Sequence, residues 1–254
     1  MVGVAEFLAS RNYAPASLKQ RRIILAGFVD HVGDPAVCDA AAVLDWWAST
    51  TGQAPWSRKT KLSAIRSLLD WLVQAGERAD NPARLIRPPV IPRTPPKVLD
   101  GGQVAALRRV VDRERDHLMV ELMLTCGLRV GEVAALDSDD LHRDDELLVV
   151  HGKGARTAMI PVPSWMVNVW PPAGSGPVFG VTSDVLRNRT KALLAAAGID
   201  GHGPHSLRRT CGTELARRGV PLHVVASLLR HDSPQTTTRH YLHVSVDDLR
   251  RAVE

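Results

Sequence analysis

The sequence has few of the residues that cross-link, anchor or export a chain. It has three cysteines in 254 residues, Cys38, Cys126 and Cys211, widely separated and without a C-x-x-C pair. Neither a disulfide framework nor a zinc ribbon fits this spacing, so we expect three buried, reduced thiols. No apolar run reaches the roughly 18 to 20 residues that span a bilayer, and no signal peptide is recognisable. We therefore expect a soluble protein of the cytoplasm.

Nucleotide-binding and hydrolase signatures are also missing. The sequence contains no Gly-rich nucleotide loop, no H-E-x-x-H pair and no Gly-x-Ser-x-Gly elbow. NTPases, zinc peptidases and serine hydrolases lose support, because each of these chemistries depends on its own motif.

Charge is present but unevenly placed. Residues 1–97 carry 13 Lys+Arg against 8 Asp+Glu, net +5, whereas residues 98–254 carry 19 against 19, net 0. A basic region joined to a neutral one suggests that the protein binds an anionic polymer, because clustered cations bind favourably to neighbouring phosphates. Ordinary surface lysines and arginines are the alternative explanation.

Proline recurs throughout residues 81–102, NPARLIRPPVIPRTPPKVLDGG, which therefore cannot form one helix. A stiff, extended linker is the natural interpretation. The sequence thus predicts an N-terminal helical domain over residues 1–86, a linker over 87–100 and a second domain over 101–254.

Apolar residues recur at helical spacing before the linker. SLKQRRIILAGFVDHV, residues 17–32, predicts one amphipathic helix, and SRKTKLSAIRSLLDWLVQAG, residues 57–76, predicts another with Ser57 as N-cap and Gly76 as terminator. Basic side chains on these helices and on the linker are candidates for contacts to the phosphates of an anionic polymer, with a solvated face as the alternative. They are Arg21, Arg22, Arg58, Lys59, Lys61, Arg93 and Lys97.

Beyond the linker, the spacing is mainly helical with one change of period. ELLVVHGKGARTAMIPV, residues 146–162, predicts a β-hairpin around a basic, Gly-rich turn, since β-branched and apolar residues flank the glycines. Helical segments lie on both sides of it, and one of them is interrupted at Gly127. We therefore predict a mainly α fold with a small β-hairpin, of the α+β class.

Two pairs of candidate side chains have a spacing of three. Arg129 and Glu132 in TCGLRVGE can share a helical face, which lets the carboxylate orient the guanidinium. His205 and Arg208 in GPHSLRRT follow a Pro-containing turn at a helix start, and together they suggest an anion-binding face. Taken singly, such pairs are more often surface ion pairs or chance spacings.

Lys153 and Tyr241 are candidates because of their settings. Lys153 lies between glycines at the predicted hairpin tip, where a lysine usually serves solubility but can also protonate a leaving oxygen. Tyr241 is one of only two tyrosines and lies in HDSPQTTTRHYLHV, residues 231–244, where a buried structural tyrosine is the ordinary alternative. A metal site from His231, His240 and His243 is the minor alternative, but no cysteine lies in this segment to complete it, so no metal is expected.

Taken in order, four segments resemble the boxes of the tyrosine recombinase (phage integrase) family. They are TCGLRVGEVAAL, VVHGKGARTAMIPVP, PHSLRRTCGTELARRGVPLHVVASLLRHDSPQTT and HYLHV. The resemblance runs over nearly all of residues 98–254, and the N-terminal helices with DNPA before the linker resemble that family's core-binding domain. Each box is loose by itself, whereas the ordered set is highly specific. It implies a core-binding domain followed by a catalytic domain, as in a Xer-like recombinase or a short phage integrase.

The resemblance implies roles in the exchange of a DNA phosphodiester. Arg129 and Arg208 match the two arginines that clamp the scissile phosphate, and Tyr241 matches the nucleophile. Lys153 matches the hairpin lysine, which is expected to protonate the departing 5′ oxygen, with a histidine as the alternative donor. The implied reaction passes through a 3′-phosphotyrosine and leaves a free 5′ hydroxyl, without ATP, metal or other cofactor.

The remaining candidates match with two departures. His205 matches the first residue of H-x-x-R, His231 matches the later His/Trp position, and Glu132 is expected to support the first arginine. The family commonly has glycine where this chain has Arg230, and the spacing from His231 to Tyr241 is one residue longer than the common form. Both departures concern local geometry rather than identity.

The resemblance also implies partners. Double-stranded DNA with a recombination core site would be bound by a homotetramer near the nucleoid, and the free chain would be a monomer or weak oligomer. The tail VSVDDLRRAVE would form a short helix that docks on a neighbouring protomer.

The alternatives are a type IB topoisomerase-like strand relaxer, a catalytically inactive DNA-binding module and a helix-turn-helix regulator. The last would explain the basic N-terminal helices but not the C-terminal residues.

Overall fold

The chain divides into two compact units, Met1–Arg93 and Thr94–Glu254. The computed structural model describes residues 2–92, 95–152 and 157–230. Four candidate residues lie outside these ranges, namely Arg93, Lys153, His231 and Tyr241.

Four α-helices and a 3₁₀ turn form the N-terminal unit over residues 2–92. They are α1 (Val2–Ala9), α2 (Pro15–Val32), α3 (Ala40–Ser49), α4 (Pro55–Gln74) and the turn Pro82–Leu85. Their apolar faces enclose one core, in which the rings of Phe28 and Trp46 meet edge to face with centroids 5.1 Å apart. The two helices predicted from the 3.6-residue spacing are confirmed as α2 and α4.

Proline sets the start of both long helices in this unit. Pro55 occupies the first turn of α4 after Ala54, and a proline is favoured there because its missing N–H would have no partner within the helix. The prediction of Ser57 as N-cap is therefore wrong, since Ser57 lies inside the first turn. Gly76 follows the end of α4 as predicted, with a φ of 77° in the left-handed region that glycine favours.

The second unit is also mainly helical over its described residues. Its elements are α5 (Gly101–Val110), α6 (Glu114–Leu124), α7 (Val130–Ala134), a 3₁₀ turn (Ser138–Asp140), β1 (Leu141–His142), β2 (Leu147–His151), β3 (Thr157–Pro161), α8 (Ser164–Val169), α9 (Ser183–Ala196), α10 (Pro204–Arg217) and α11 (Leu222–Leu228). The mainly α fold with a small sheet is confirmed.

The sheet is antiparallel with the strand order β1-β2-β3. The predicted hairpin is confirmed: β2 pairs with β3, and Leu148 lies opposite Ile160 with both side chains buried. Residues 153–156, between these two strands, lie outside the described ranges. The sequence did not predict β1, because two residues are too few to show an alternating pattern.

Helix α6 runs through the core of the second unit. Every residue from Leu118 to Leu124 is buried, including Glu121, whose carboxylate accepts two hydrogen bonds from Arg108 at 2.7 and 2.8 Å. A buried charge requires such a partner, because it has lost its hydration. α6 thereby fixes the position of the turn that follows it, residues 125–129.

Two further features of the described residues bear on the sequence predictions. All three cysteines are buried and free, as expected. Over residues 2–92, 95–152 and 157–230, no helix has both the length and the apolar character needed to cross a membrane.

Candidate active site

The turn between α6 and α7 begins the candidate site. Gly127 adopts a φ of 61°, and the N–H of Leu128 closes the turn by donating to the carbonyl of Leu122 at 3.0 Å. A Cβ at Gly127 would overlap Leu229 Cδ2 and lie 3.3 Å from Cys211 Sγ. Glycine therefore allows this turn to lie directly against α10 and the end of α11.

Arg129 follows the turn as the N-cap residue of α7, and Glu132 holds it in place. Glu132 Oε2 accepts from the backbone N–H of Arg129 at 2.7 Å, and Oε1 accepts from Arg129 Nη1 at 2.6 Å. The Glu132 side chain is 7% exposed, whereas that of Arg129 is 39% exposed. A buried carboxylate thus orients a guanidinium that still reaches solvent.

Arg208 approaches the same carboxylate from α10. Its side chain is buried, with Nη1 donating to the carbonyl of Gly127 and Nη2 to the carbonyl of Leu229. Nη1 also lies 3.7 Å from Glu132 Oε2, which is ion-pair distance. Arg208 and Gly127 are 81 positions apart in the sequence. The fold therefore brings the H-x-x-R segment next to the turn at Gly127.

A third arginine reaches Glu132 from the end of α11. Arg230 Nη2 donates to Glu132 Oε2 at 2.8 Å and to the carbonyl of Gly127 at 3.3 Å, while Nη1 donates to the carbonyl of Leu228 at 2.6 Å. Arg129 Nη2 in turn donates to the carbonyl of Arg230 at 3.2 Å. We call Arg129, Glu132, Arg208 and Arg230 the arginine cluster.

The charge of Glu132 is maintained by its neighbours in this cluster. Burial alone would raise the pKa of Glu132, but the hydrogen bond and charge of Arg230, with the hydrogen bonds from Arg129, bring that pKa below its usual value. Glu132 is therefore ionised at neutral pH and acts as an acceptor for all of its partners.

His205 lies in the first turn of α10 and is partly exposed to solvent. Partial burial and the positive charges of four arginines, led by Arg209 and Arg208, lower the pKa of His205 below its usual value. The imidazole is therefore neutral at neutral pH, so one ring nitrogen can accept a hydrogen bond and the other can donate one.

Burial keeps the two cysteines beside the arginine cluster protonated. It raises the pKa of Cys126 to about 12 and that of Cys211 to about 11. A thiolate is the reactive form of cysteine, so neither side chain is suited to act as a nucleophile at neutral pH.

The structure thus brings some predicted residues together and leaves others unplaced. Arg129, Glu132 and Arg208 meet directly, and His205 lies within the electrostatic influence of both arginines. The positions of Lys153, His231 and Tyr241 fall outside the described residues, as does the rejected metal site of His231, His240 and His243. In the described ranges, no group of three or more His, Cys, Asp or Glu side chains is arranged to hold a metal ion.

The basic candidates of the N-terminal unit lie on α2 and α4, several of them against aromatic rings. Arg21 lies over Tyr13 at 4.5 Å, Arg58 over Trp47 at 4.1 Å and Lys59 over Trp56 at 5.5 Å, measured to the ring centroids. In each pair the charged group itself lies over the ring, which holds that cation in place. Arg22 is exposed and Lys61 is half-buried.

Lys97, the remaining described candidate, belongs to the second unit. Its Nζ donates to the carbonyl of Gly201 at 2.8 Å. Its side chain is exposed, so this bond leaves part of the ammonium in contact with solvent.

Arg230 was not among the predicted site residues, since the sequence shows it only as a departure from a family pattern. Its φ of 51° lies in the left-handed region, where residues other than glycine are uncommon. The one available signal was a long, charged residue at a position where glycine is common. Its contact with Glu132, 98 positions earlier, could not be read from spacing.

Comparison with known proteins decides the family. The sequence profile of the phage integrase family matches residues 97–170 and 181–247, together more than half of the chain. The chain belongs to the phage integrase family. Within that family match lie all the members of the arginine cluster, together with His205.

The curated relatives of this integrase-family chain are tyrosine recombinases. It is 33% identical over 246 residues to tyrosine recombinase XerC of Mycobacterium bovis (strain BCG / Pasteur 1173P2), covering 84% of this chain and 82% of the relative. It is 30% identical over 248 residues to tyrosine recombinase XerD of Neisseria meningitidis (serogroup A, strain Z2491), covering 89% and 83%. The chain is thus a Xer-like tyrosine recombinase by family.

Solved structures share the fold of this integrase-family chain. The integrase of mycobacterium phage Brujita matches with 26% identity and a TM-score of 0.50, covering 99% of this chain and 88% of that one. A lambda integrase dimer bound to a COC′ core site matches with a TM-score of 0.78, covering 93% and 92%. Identity to the lambda protein is 15%, so that likeness concerns the fold alone.

Proposed function

We propose that this chain is a site-specific DNA recombinase that cuts and rejoins DNA strands through a 3′-phosphotyrosine at Tyr241. The observation that carries the proposal is the meeting of Arg129 and Arg208 at the buried Glu132, in a chain whose relatives are named tyrosine recombinases. Two guanidinium groups held by one carboxylate form a site suited to a phosphate.

The arginines would stabilise the phosphate as it is attacked. Guanidinium N–H groups match the geometry of phosphate oxygens, and Arg129 is exposed enough to meet a DNA backbone. Charge accumulates on the nonbridging oxygens in the transition state, so donors fixed beforehand by Glu132 lower its free energy. The neutral imidazole of His205 would add a hydrogen bond to the same group.

The proposed cleavage step exchanges one phosphoester for another. The phenol oxygen of Tyr241 forms a bond to phosphorus while the bond from phosphorus to the 5′ oxygen breaks. The phenol releases its proton to solvent, and the departing 5′ oxygen takes a proton from the Lys153 ammonium, which solvent then reprotonates. Rejoining reverses the step with the 5′ hydroxyl of a partner strand, and no ATP is consumed because the ester energy is kept in the phosphotyrosine.

The two units would divide DNA binding and chemistry. We propose residues 1–86 as the core-binding domain, 87–100 as the linker and 101–254 as the catalytic domain. The basic side chains of α2 and α4 support the first assignment, and the arginine cluster in the second unit supports the last. In the solved relative, a lambda integrase dimer is bound to a core site; here we propose a tetramer on cytoplasmic, nucleoid DNA.

A covalent-capture experiment tests this function. Sheared genomic DNA from the organism that carries the gene is incubated with the protein, denatured with detergent, and the DNA that stays attached is sequenced. A nicked duplex built on the captured site then traps the phosphotyrosine, because the short cleaved strand diffuses away. We expect adducts from the wild type and none from Tyr241→Phe.

Tyr13→Phe is the matched control, because it removes the other tyrosine of the chain. Tyr13 packs in the N-terminal unit, with its ring edge-on to Phe7 at 6.5 Å. The control should form adducts at the wild-type level. Adducts from Tyr241→Phe would overturn the proposal, as would covalent strand relaxation without resolution of a synthetic Holliday junction.

A further inference from the structure

Arg230 occupies a backbone conformation that an arginine adopts at a cost. Its φ is 51°, and Glu146 is the other non-glycine residue with a positive φ among those the structure describes. A Cβ is crowded against the backbone in this region, so glycine would be more comfortable there. A contact made by the arginine side chain must offset the strain.

That contact is made inside the arginine cluster. The Arg230 side chain is 10% exposed, and its Nη2 lies 2.8 Å from Glu132 Oε2. Arg208 Nη1 lies 3.7 Å from the same oxygen. Both arginines also donate to the carbonyl of Gly127. Arg230 and Arg208 therefore share one hydrogen-bond acceptor, the carbonyl of Gly127, and one ion-pair partner, Glu132 Oε2, to which Arg230 is the nearer of the two.

The charges of the arginine cluster indicate how Arg230 affects the attraction between Glu132 and Arg208. One buried carboxylate faces three guanidinium groups, so the pairing with Arg230 satisfies Glu132 without drawing Arg208 closer. Without Arg230, Glu132 would keep two counter-ions among the described residues, Arg129 and Arg208. The carboxylate would then attract the two guanidinium groups that are proposed to bind phosphate, and reduce the positive potential they present.

We propose that Arg230 is a positioning residue that neutralises Glu132 and so keeps Arg129 and Arg208 directed at the scissile phosphate. The inference rests on the proposed function, since it assigns a task within the proposed active site. Arg230 would act through Glu132, because its guanidinium donates to that carboxylate and to the carbonyls of Gly127 and Leu228.

Three variants at position 230 test the inference with the captured nicked duplex. Arg230→Gly relieves the backbone strain and removes the charge, Arg230→Gln removes the charge alone, and Arg230→Lys keeps it. We expect both neutral variants to cleave about tenfold more slowly at saturating DNA, the rate equivalent of one lost charge-assisted hydrogen bond, with little change in DNA affinity. Arg230→Lys should recover most of the rate.

Arg189→Ala is the control for loss of an arginine that pairs with a buried carboxylate in the same unit. Arg189 on α9 donates to the buried carboxylate of Asp116 on α6. It should lower thermal stability without slowing cleavage by folded protein. A general structural effect would instead slow Arg189→Ala and the neutral Arg230 variants alike, which would overturn the inference.

A double-mutant cycle with Glu132→Gln identifies the route of the effect. If Arg230 acts through the carboxylate, adding Arg230→Gly to Glu132→Gln should slow cleavage far less than it slows the wild type. Equal slowing in both backgrounds, wild-type rates in Arg230→Gly and Arg230→Gln, or an Arg230→Lys as slow as either would overturn the inference. Wild-type protein without any adduct would instead refute the proposed function itself.

Discussion

Gly127 and Leu229 are in direct contact, and the space for a side chain at Gly127 is already filled by Leu229 Cδ2. Leu229 is fully buried and directly precedes Arg230 in the chain. The carbonyl of Gly127 accepts hydrogen bonds from Arg208 and Arg230. The packing of two apolar neighbours therefore sets the relative positions of the turn before Arg129 and of the two other arginines.

Gly127→Ala should destabilise the second unit by about 2 to 4 kcal/mol, from overpacking against Leu229 together with a left-handed φ of 61°. Chemical denaturation followed by circular dichroism measures the change. Gly131→Ala is the control, because a Cβ at that helical glycine in α7 meets no heavy atom within 4 Å. Equal stability of the two variants would contradict the packing described for Gly127.

Protonation of Glu132 should lower the stability of the second unit at acid pH. Its folded pKa is lowered from 4.5, so its stabilising pairing is complete above 4.5 and is lost as the pH falls through the lower, folded value. The thermal midpoint of Glu132→Gln should therefore lie below that of the wild type at pH 7, and the two should converge as the pH falls well below 4.5. A constant difference from pH 7 to pH 3 would refute the ionised state assigned to Glu132.

The imidazole of His205 should titrate below 6.5, the ordinary value, because partial burial and nearby arginines disfavour its protonated form. As the pH falls below 6.5, the unfolded chain takes up this proton before the folded chain does, so stability falls with pH in that window. A proton NMR titration, with the His205 signal assigned by its loss in His205→Gln, gives the value directly. A midpoint at or above 6.5 would contradict the neutral role proposed for His205.

Cys126 and Cys211 should resist alkylation in the folded protein. Burial raises the pKa of Cys126 to about 12 and of Cys211 to about 11, so the reactive thiolate is scarce at pH 8. Iodoacetamide labelling followed by peptide mass spectrometry should modify both residues in denaturant and neither in buffer. Rapid labelling of either thiol in the native protein would show that the region around Gly127 opens more freely than its packing implies.

Lys59→Ala should weaken DNA binding by a similar factor for all DNA sequences, because it removes a proposed contact to the phosphate backbone of the DNA. The Lys59 side chain is exposed on α4 beside the Trp56 ring, so it is placed to meet a phosphate. A plot of log affinity against log salt concentration has a negative slope, and loss of one such contact should reduce the steepness of that slope by about 1. Lys191→Ala, which removes an exposed lysine of α9, is the control; an unchanged slope in Lys59→Ala would remove Lys59 from the proposed interface.

The sequence predicted features that depend on local periodicity. The 3.6-residue spacing predicted α2 and α4, and the β-branched and apolar residues on both sides of the glycines predicted the hairpin of β2 and β3. The interruption at Gly127 was also predicted, because glycine is the residue that best supports a left-handed turn. Ser57 was misassigned because Pro55, two residues earlier, already starts the helix.

The arginine cluster depends on tertiary packing and was only partly predictable. Arg129 and Glu132 are three residues apart, so spacing alone suggested their contact. Arg208 and Arg230 reach Glu132 through the docking of α10 and α11 on the Gly127 turn, which no local pattern encodes. Ordered family boxes brought Arg208 into the candidate set, but a residue that departs from the pattern, such as Arg230, could not be found in that way.

The most direct test of this account is to identify the amino acid that carries the DNA. Wild-type protein trapped on the nicked duplex is digested with a protease and a nuclease, and the nucleotide-bearing peptide is sequenced by mass spectrometry. The account predicts one nucleotide linked through its 3′ phosphate to Tyr241, with a free 5′ hydroxyl on the other strand end. Attachment at Tyr13, at a serine or through a 5′ phosphate would contradict it.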